Sequence, residues 1–252
     1  MKTVCVIPIY ERQAITLATL ELFKNQTLPL HEIIVVGSTP NDKLTASKAG
    51  VTYVQAPNKP LSNKVQCGID EARKRNPDAI LTSGSDSWPT SNFYETLSRY
   101  VEEGADLVGK IHSYSCKANP GEALEVLSHS YICRKDPIGG GRILSRKALE
   151  ALNWKVYKPG MNQSLDSSSY RILTQGIKGI KIVIADKDLD AFSMDIKSTN
   201  WKNITKFATI KRATKELRIE TVALPEKWLE VNYPGSLATL KNVVPGIKII
   251  GD

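Results

Sequence analysis

The sequence predicts an α/β fold built on a doubly wound, mostly parallel sheet, and three observations support this prediction. Over residues 1–110, short apolar runs alternate with longer segments whose apolar residues recur at helical spacing. The runs are continuously apolar, as expected for strands that are buried on both faces. The segments between them are long enough to form helical crossovers between parallel strands. We therefore expect a central sheet with helices on both of its faces.

Strands and helices alternate regularly in this first part of the chain. The predicted strands are 3–9, 32–36, 51–55, 79–82 and 105–108. The predicted helices are 13–25, 45–49, 61–75 and a segment around 93–101. Each helix joins two predicted strands, which favours a mostly parallel sheet.

The pattern changes after Lys110. Residues 111–134 are polar and aromatic, which predicts a hairpin or an irregular excursion. A glycine run, a short strand and a helix from Ser145 follow, and then a helix over 165–175 and a strand over 180–185. The segment from Lys206 contains three prolines and predicts an irregular tail that wraps around the domain.

Composition limits the classes of protein that the chain can belong to. The 252 residues are 41% apolar and carry a net charge of +8, which favours polyanionic partners. Basic residues occur only in short blocks without interleaved aromatics, so no nucleic-acid partner is expected. The four cysteines form no C-x-x-C pair, which argues against a zinc site. We expect a cytoplasmic protein, because no apolar run has the length of a membrane span, and the positive charge allows a peripheral contact with a membrane surface.

One carboxylate occupies the position where such sheets bind ligands. Asp86 follows the predicted strand 79–82 among small, flexible residues, and ligands of open α/β sheets bind beyond the carboxyl ends of the strands. The turn at 8–12 after the first strand contains no glycine, so no glycine cradle binds phosphate there. A divalent metal held by Asp86 would supply the missing positive charge. The alternative is that Asp86 caps the next helix, although Thr90 can also do this.

The order of these features resembles the GT-A fold of family-2-type glycosyltransferases. Residues 4–12 resemble the first strand and the nucleobase-binding turn of that family, and residues 58–69 resemble the segment leading into its third helix. Residues 83–87 stand at the position of its D-x-D motif, with Gly84 in place of the first aspartate. Residues 139–146 resemble its acceptor-side glycine loop and the helix start behind it.

This resemblance implies an inverting, metal-dependent transfer of a sugar from a nucleoside-diphosphate donor, most commonly a UDP-hexose. The acceptor would be a hydroxyl on a glycan or a lipid-linked glycan. Asp166 corresponds to the catalytic base, although it could instead cap the helix that follows. Mn²⁺ or Mg²⁺ would be bound by Asp86 and Asp195, with Asp190 as the nearest competitor for the second position.

The resemblance also implies a set of donor-binding residues and a division of the chain. The expected nucleotide-sugar-binding residues are Pro8, Ile9, Tyr10, Glu11, Ser38, Lys64, Ser85, Asp86 and Gly140. Lys64 lies at the start of its helix and could reach a phosphate there, the alternative being an exposed surface lysine. Residues 1–205 would form the GT-A domain, with a donor half at 1–110 and a small acceptor and catalytic half at 111–205. Residues 206–252 would be a C-terminal extension packed on it.

Two other functions compete with glycosyl transfer. A nucleotidyltransferase shares a related sheet, but it normally has a glycine- and arginine-rich turn after the first strand, which residues 8–11 lack. A module that binds a sugar or nucleotide without turnover is the second competitor. The missing first aspartate of the D-x-D motif favours that alternative.

Overall fold

The computed structural model describes residues 1–131, 135–199, 201, 206–213 and 217–249, which form two sheets surrounded by helices. The described strands are β1 (Thr3–Pro8), β2 (Glu32–Gly37), β3 (Thr52–Gln55), β4 (Ala79–Thr82), β5 (Ser87–Pro89), β6 (Leu107–Gly109), β7 (His112–Lys117), β8 (Glu125–Tyr131), β9 (Arg142–Ser145), β10 (Ile182–Ile184), β11 (Ser193–Lys197) and β12 (Leu217–Thr221). The described helices are α1 (Gln13–Lys24), α2 (Pro40–Ala49), α3 (Leu61–Arg73), α4 (Phe93–Glu102), α5 (Arg146–Ala151), α6 (Leu165–Gly176), α7 (Phe207–Arg212), α8 (Pro225–Asn232) and α9 (Ser236–Val243).

The larger sheet has seven strands in the order β10-β6-β9-β4-β1-β2-β3. β1 is parallel to β2 and β4, β2 is parallel to β3, and β6 is parallel to β10. β9 runs antiparallel to both of its neighbours. The predicted doubly wound, mostly parallel sheet is thereby confirmed.

Both faces of this sheet are buried, and β1 shows how the sequence achieves this. Successive side chains of a strand point to opposite faces. Cys5 and Ile7 accordingly join the apolar cluster on one face, whereas Val4 and Val6 join the cluster on the other. A continuous apolar run is therefore required here, since an alternating pattern would place polar groups in one of the two clusters.

Helix α3 approaches the sheet closely because Gly68 has no side chain. A Cβ built on Gly68 would lie 2.5 Å from a methyl carbon of Val6 and 2.6 Å from one of Val36. Residues four apart share one face of a helix. Lys64 is four residues before Gly68, so it also faces the sheet and is buried despite its charge.

Helix α2 begins at Pro40, five residues before the start predicted from apolar periodicity. Its first turn is polar and is stabilised instead by a capping box. The side chain of Thr39 accepts a hydrogen bond from the backbone N–H of Asp42, and the Asp42 carboxylate accepts one from the backbone N–H of Thr39. At the other end, Gly50 ends the helix with the left-handed φ of 66°.

The smaller sheet has five strands in the order β12-β8-β7-β11-β5. The excursion predicted over 111–134 contains the hairpin of β7 and β8, and residues 132–134 lie outside the described residues. β11 lies between β7, to which it is parallel, and β5, to which it is antiparallel. This arrangement attaches β5, which directly follows Asp86, to a strand from much later in the chain.

The segment after Lys206 is more regular than the prolines suggest. It contains α7, β12, α8 and α9, and β12 pairs with β8. Leu229 and Leu240 from its last two helices are buried in one apolar cluster with Trp88. The division of the chain at residue 205 stays a prediction. Within the described residues, no helix combines the length and the apolar character needed to cross a bilayer.

Candidate functional site

A cavity of about 530 Å³ lies at the carboxyl ends of β1 and β4, between the two sheets. It is lined by nine of the residues selected from the sequence: Pro8, Ile9, Tyr10, Lys64, Ser85, Asp86, Gly140, Asp166 and Asp195. Glu11 and Ser38 lie outside this lining, and Ser38 contacts it through Lys64. The cavity thus brings together residues that are far apart in the sequence.

Four charged side chains meet on one side of the cavity, and we call Arg12, Asp86, Asp195 and Lys197 the charge cluster. Arg12 Nη1 donates to Asp86 Oδ2 at 3.0 Å. The Lys197 ammonium donates to the same oxygen at 3.2 Å and to Asp195 Oδ2 at 3.0 Å. A single lysine therefore joins the two carboxylates that the resemblance assigns to a metal.

The pairing of β5 with β11 produces this arrangement. Ser87 stands opposite Asp195 in the antiparallel register, and its hydroxyl donates to Asp195 Oδ1 at 2.6 Å. The backbone N–H of Ile196 donates to the carbonyl oxygen of Asp86 at 2.9 Å. Asp195 and Lys197 are two residues apart on a strand and so share one face. Lys197 consequently reaches the carboxylate of Asp86, and Asp195 meets the same lysine.

The charges of the cluster stabilise one another although most of it is buried. Burial disfavours the carboxylate form of Asp86, but Lys197 and Arg12 outweigh this effect, and the pKa of Asp86 lies below its usual range. Burial likewise disfavours the ammonium form of Lys197, but Asp195 and Asp86 outweigh it, and the pKa of Lys197 is raised. Asp86 and Lys197 are thus both charged at neutral pH, and the N-cap position of the following helix is occupied by Asn92, not by Asp86.

A divalent cation does not fit beside this lysine. Mg²⁺ takes oxygen ligands at about 2.1 Å, and a metal shared by Asp86 and Asp195 would have to lie between their carboxylates. The Lys197 ammonium already lies within hydrogen-bond distance of both. The described residues contain no group of three or more His, Cys, Asp or Glu side chains that could hold a metal. Asp190, the alternative ligand, instead accepts a hydrogen bond from the Asn92 amide.

The predicted base, Asp166, lies in the first turn of α6 and lines the cavity. The residue at the N-cap position is Ser164. A Cβ built on Gly139 would lie 3.4 Å from both Cγ and Oδ1 of Asp166. The backbone of the glycine loop therefore lies directly beside the carboxylate.

Arg142 holds the glycine loop and the start of α6 together. Its guanidinium is buried and donates to the carbonyl oxygens of Ile138, at 3.1 Å, and of Pro137. It also donates to the carbonyl oxygen of Asp166 at 2.9 Å. One side chain thus fixes the backbone on both sides of the Asp166 carboxylate.

Lys64 lines the cavity and is only 1% exposed, which excludes the exposed-lysine alternative. Its ammonium donates to the carbonyl oxygen of Ile9 at 2.6 Å, to Ser38 Oγ at 2.9 Å and to Asn58 Oδ1 at 3.2 Å. Burial lowers the pKa of Lys64 to about 8. The lysine therefore links the turns that follow β1 and β2.

Asp42 joins the same two turns through the backbone. Its buried carboxylate accepts hydrogen bonds from the N–H groups of Glu11, Ser38 and Thr39 at 2.8 to 3.0 Å. Glu11 has the positive φ of 49°, and this contact holds it in that conformation. Asp42 was not selected from the sequence. The available signal was the spacing of a capping box, in which Thr39 is followed three residues later by an acidic residue.

Sequence reasoning also missed Arg12, Lys197 and His129. Arg12 is the last residue of the predicted turn, and Lys197 follows Asp195 at the spacing that places both on one strand face, so both had a local signal. His129 lines the cavity with its Nε2 atom 3.0 Å from Ser115 Oγ, and burial lowers its pKa to about 4. No local pattern distinguishes this histidine from a surface residue.

The sequence of the chain matches a known protein family. Residues 4–152 match the model for glycosyl transferase family 2. Among solved structures, the chain is similar to CMP:2-keto-3-deoxy-manno-octonic acid synthetase complexed with CTP, at 13% identity and a TM-score of 0.45, over 79% of this chain and 90% of that one. No curated protein matches the sequence.

Proposed function

Because the chain belongs to glycosyl transferase family 2, we propose that it transfers a sugar from a nucleoside-diphosphate donor to a hydroxyl acceptor. Membership of this family indicates a transferase related to nucleotide sugars. The proposal adds a UDP-hexose as the first donor to test and a glycan or lipid-linked glycan as the acceptor. It also adds inversion at the anomeric carbon.

One observation carries the proposal: a carboxylate and two fixed cations line the same cavity at the strand ends. Asp166 supplies the carboxylate, and Arg12 and Lys197 are the cations of the charge cluster. A volume of about 530 Å³ lies within the range of small-molecule sites. This combination suits a reaction that removes a proton at one point and releases an anion at another.

In the proposed reaction the acceptor hydroxyl attacks the anomeric carbon of the donor sugar. Its proton passes to a carboxylate oxygen of Asp166, while the bond from the anomeric carbon to the diphosphate oxygen breaks. The nucleoside diphosphate leaves with the electron pair of that bond. Attack on the face opposite the leaving group inverts the anomeric configuration. In this proposal the acceptor oxygen binds beside the Asp166 carboxylate, which lines the cavity.

The leaving diphosphate needs positive charge nearby, since preorganised charges that face developing charge lower the barrier. The resemblance assigns this role to Mn²⁺ or Mg²⁺ bound by Asp86 and Asp195. In the structure the position between these carboxylates is filled by the Lys197 ammonium. The cations available to the diphosphate in this proposal are therefore those of Lys197 and Arg12.

The nucleoside is assigned to the part of the cavity that lies beside the turn following β1. Pro8, Ile9 and Tyr10 line the cavity there, and the Lys64 ammonium lies 5.5 Å from the centre of the Tyr10 ring. Glu11 and Ser38 shape this end through Asp42 and Lys64. The roles of these residues, and of Ser85 and Gly140, in donor binding are part of the proposal.

The test incubates the protein with UDP- and GDP-sugars and measures release of the free nucleoside diphosphate by mass spectrometry. Asp166→Asn should retain donor binding and reduce turnover roughly 10²- to 10⁴-fold, the usual contribution of a general base. Asp70→Asn is the matched control, because that aspartate forms an exposed ion pair with Lys155. Near-normal turnover in Asp166→Asn would remove it from the role of base.

The same assay separates the competing functions. A nucleotidyltransferase would release pyrophosphate from a nucleoside triphosphate and a sugar phosphate, and it would not consume UDP-sugars. A binding module would retain the nucleotide without turnover under all conditions. Either result would replace glycosyl transfer as the function of this cavity.

A further inference from the structure

Lys197 occupies the position at which a cation shared by Asp86 and Asp195 would lie. Its side chain is 7% exposed, and the residue lines the cavity. An ammonium has three N–H donors. Among the residues that the structure describes, Lys197 Nζ donates two hydrogen bonds, one to each carboxylate. A third donor therefore remains for a ligand in the cavity.

Protein groups donate hydrogen bonds to both carboxylates of the charge cluster. Asp86 Oδ2 accepts from both Lys197 and Arg12. Asp195 accepts from Lys197 at Oδ2 and from Ser87 at Oδ1. Arg12 is itself fixed by a second hydrogen bond, from Nη2 to Ser85 Oγ at 2.7 Å. Both carboxylates are thus bound by protein donors, which a metal would have to displace.

The charges also balance as they would with a divalent ion. Two carboxylates with one divalent cation have no net charge, and two carboxylates with the single charges of Arg12 and Lys197 also have none. The protein cations lie at the N-cap of α1 and at the end of β11, and they need no recruitment from solution. Fixed charges of this kind require little reorganisation when a diphosphate binds.

We propose that Lys197, with Arg12, replaces the divalent cation of this site, so that the donor diphosphate binds to the protein without metal. The proposal rests on the function proposed above. It makes Lys197 a binding residue for a diphosphate, and it makes occupation of this position by the ammonium and by a divalent ion mutually exclusive. It departs from the metal dependence that the resemblance implies.

The first experiment uses the wild-type protein and titrates UDP in EDTA, in Mn²⁺ and in Mg²⁺ by calorimetry. The expected dissociation constants agree within about threefold. An increase in affinity of more than about tenfold with either metal would overturn the proposal. GDP, CDP and ADP are titrated in the same way, so that the choice of base does not decide the result.

The second experiment measures Mn²⁺ alone by electron paramagnetic resonance, without nucleotide or turnover. Wild type should bind no Mn²⁺ at this site, whereas Lys197→Ala should bind one, because the two carboxylates then face an open position. Adding Asp195→Ala to that variant should abolish the gain. Lys155→Ala, which removes an exposed lysine paired with Asp70, is the matched control and should bind none.

The outcomes distinguish the role proposed for Lys197 from the proposed function of the protein. Mn²⁺ binding by wild type that is lost in Asp86→Asn would overturn the role of Lys197, as would a folded Lys197→Ala that gains no Mn²⁺ site. If Lys197→Ala does not fold, the titrations of wild type with UDP in EDTA, Mn²⁺ and Mg²⁺ decide whether the diphosphate binds without metal. Failure of every nucleotide to bind would overturn the proposed function, while the Mn²⁺ measurement would still test whether the ammonium excludes a metal.

Discussion

Arg142 Nη1 donates a hydrogen bond to the backbone carbonyl of Asp166 at 2.9 Å, which ties the start of α6 to the strand β9. The same guanidinium binds the carbonyls of Ile138 and Pro137 at the glycine loop. The planar arginine fork satisfies acceptors on two chain segments at once, which a single ammonium cannot do with the same geometry. The position of the Asp166 carboxylate therefore depends on Arg142, which binds the backbone of Asp166 and not its side chain.

Arg142→Lys should lower kcat by roughly 10- to 100-fold while KM changes little, because small misplacements of a catalytic group carry penalties of this size. Steady-state kinetics with the donor found above measure both constants. Arg99→Lys is the control, since Arg99 forms an exposed ion pair with Glu95 within α4. Equal loss of kcat in the two variants would contradict the positioning role.

Asp42→Asn should weaken nucleotide binding and lower stability, because an amide cannot accept from all three backbone N–H groups that the carboxylate binds. A buried donor left without a partner costs about 1–3 kcal/mol. Urea unfolding measures the free energy, and titration with UDP measures the affinity. An unchanged free energy of unfolding would show that the two turns do not depend on Asp42.

Gly141→Ala should destabilise the protein by about 3 kcal/mol or more, the range of strong steric and backbone conflicts. Gly141 has a φ of 93°, and a Cβ there would lie 2.4 Å from Cζ of Phe93. Gly121→Ala is the matched control, because Gly121 also has a positive φ of 73° but no atom within 4 Å of the added Cβ. That variant should lose only about 1–2 kcal/mol. Similar losses in chemical denaturation would contradict the contact with Phe93.

Acidification should destabilise the protein through His129. Burial lowers its pKa to about 4 in the folded state, against an unfolded value near 6.5, so the unfolded state binds more protons between these values. Stability contributed by the neutral ring is present above pH 6.5 and is lost as the pH falls toward 4. Between pH 7 and 5 the loss should be about 2 kcal/mol.

His129→Gln should remove most of this dependence, measured as the difference between wild-type and variant free energies of unfolding at each pH. Burial also lowers the pKa of His112. Protonation of His112 therefore destabilises wild type and variant alike, and its effect cancels in the difference between their free energies of unfolding. A difference that does not change between pH 7 and 5 would contradict the burial of a neutral His129.

The elements that sequence patterns located well are those whose signal is local. Apolar residues at helical spacing from Leu61 identified α3, and continuous apolar runs identified β1, β2 and β4. The start of α2 was missed because its first turn is polar, and only the capping pair of Thr39 and Asp42 marks it. The regularity of the C-terminal segment was missed because its apolar residues pack against distant ones such as Trp88.

The sequence by itself determined the order of strands and helices, the resemblance to a family, and a set of candidate carboxylates, because these depend on periodicity and on short motifs. Only the tertiary structure decided which cation meets Asp86. Lys197 reaches it because β11 pairs with β5, and Arg12 reaches it from the end of β1. No local pattern encodes these contacts, since they arise from pairing between strands far apart in the chain.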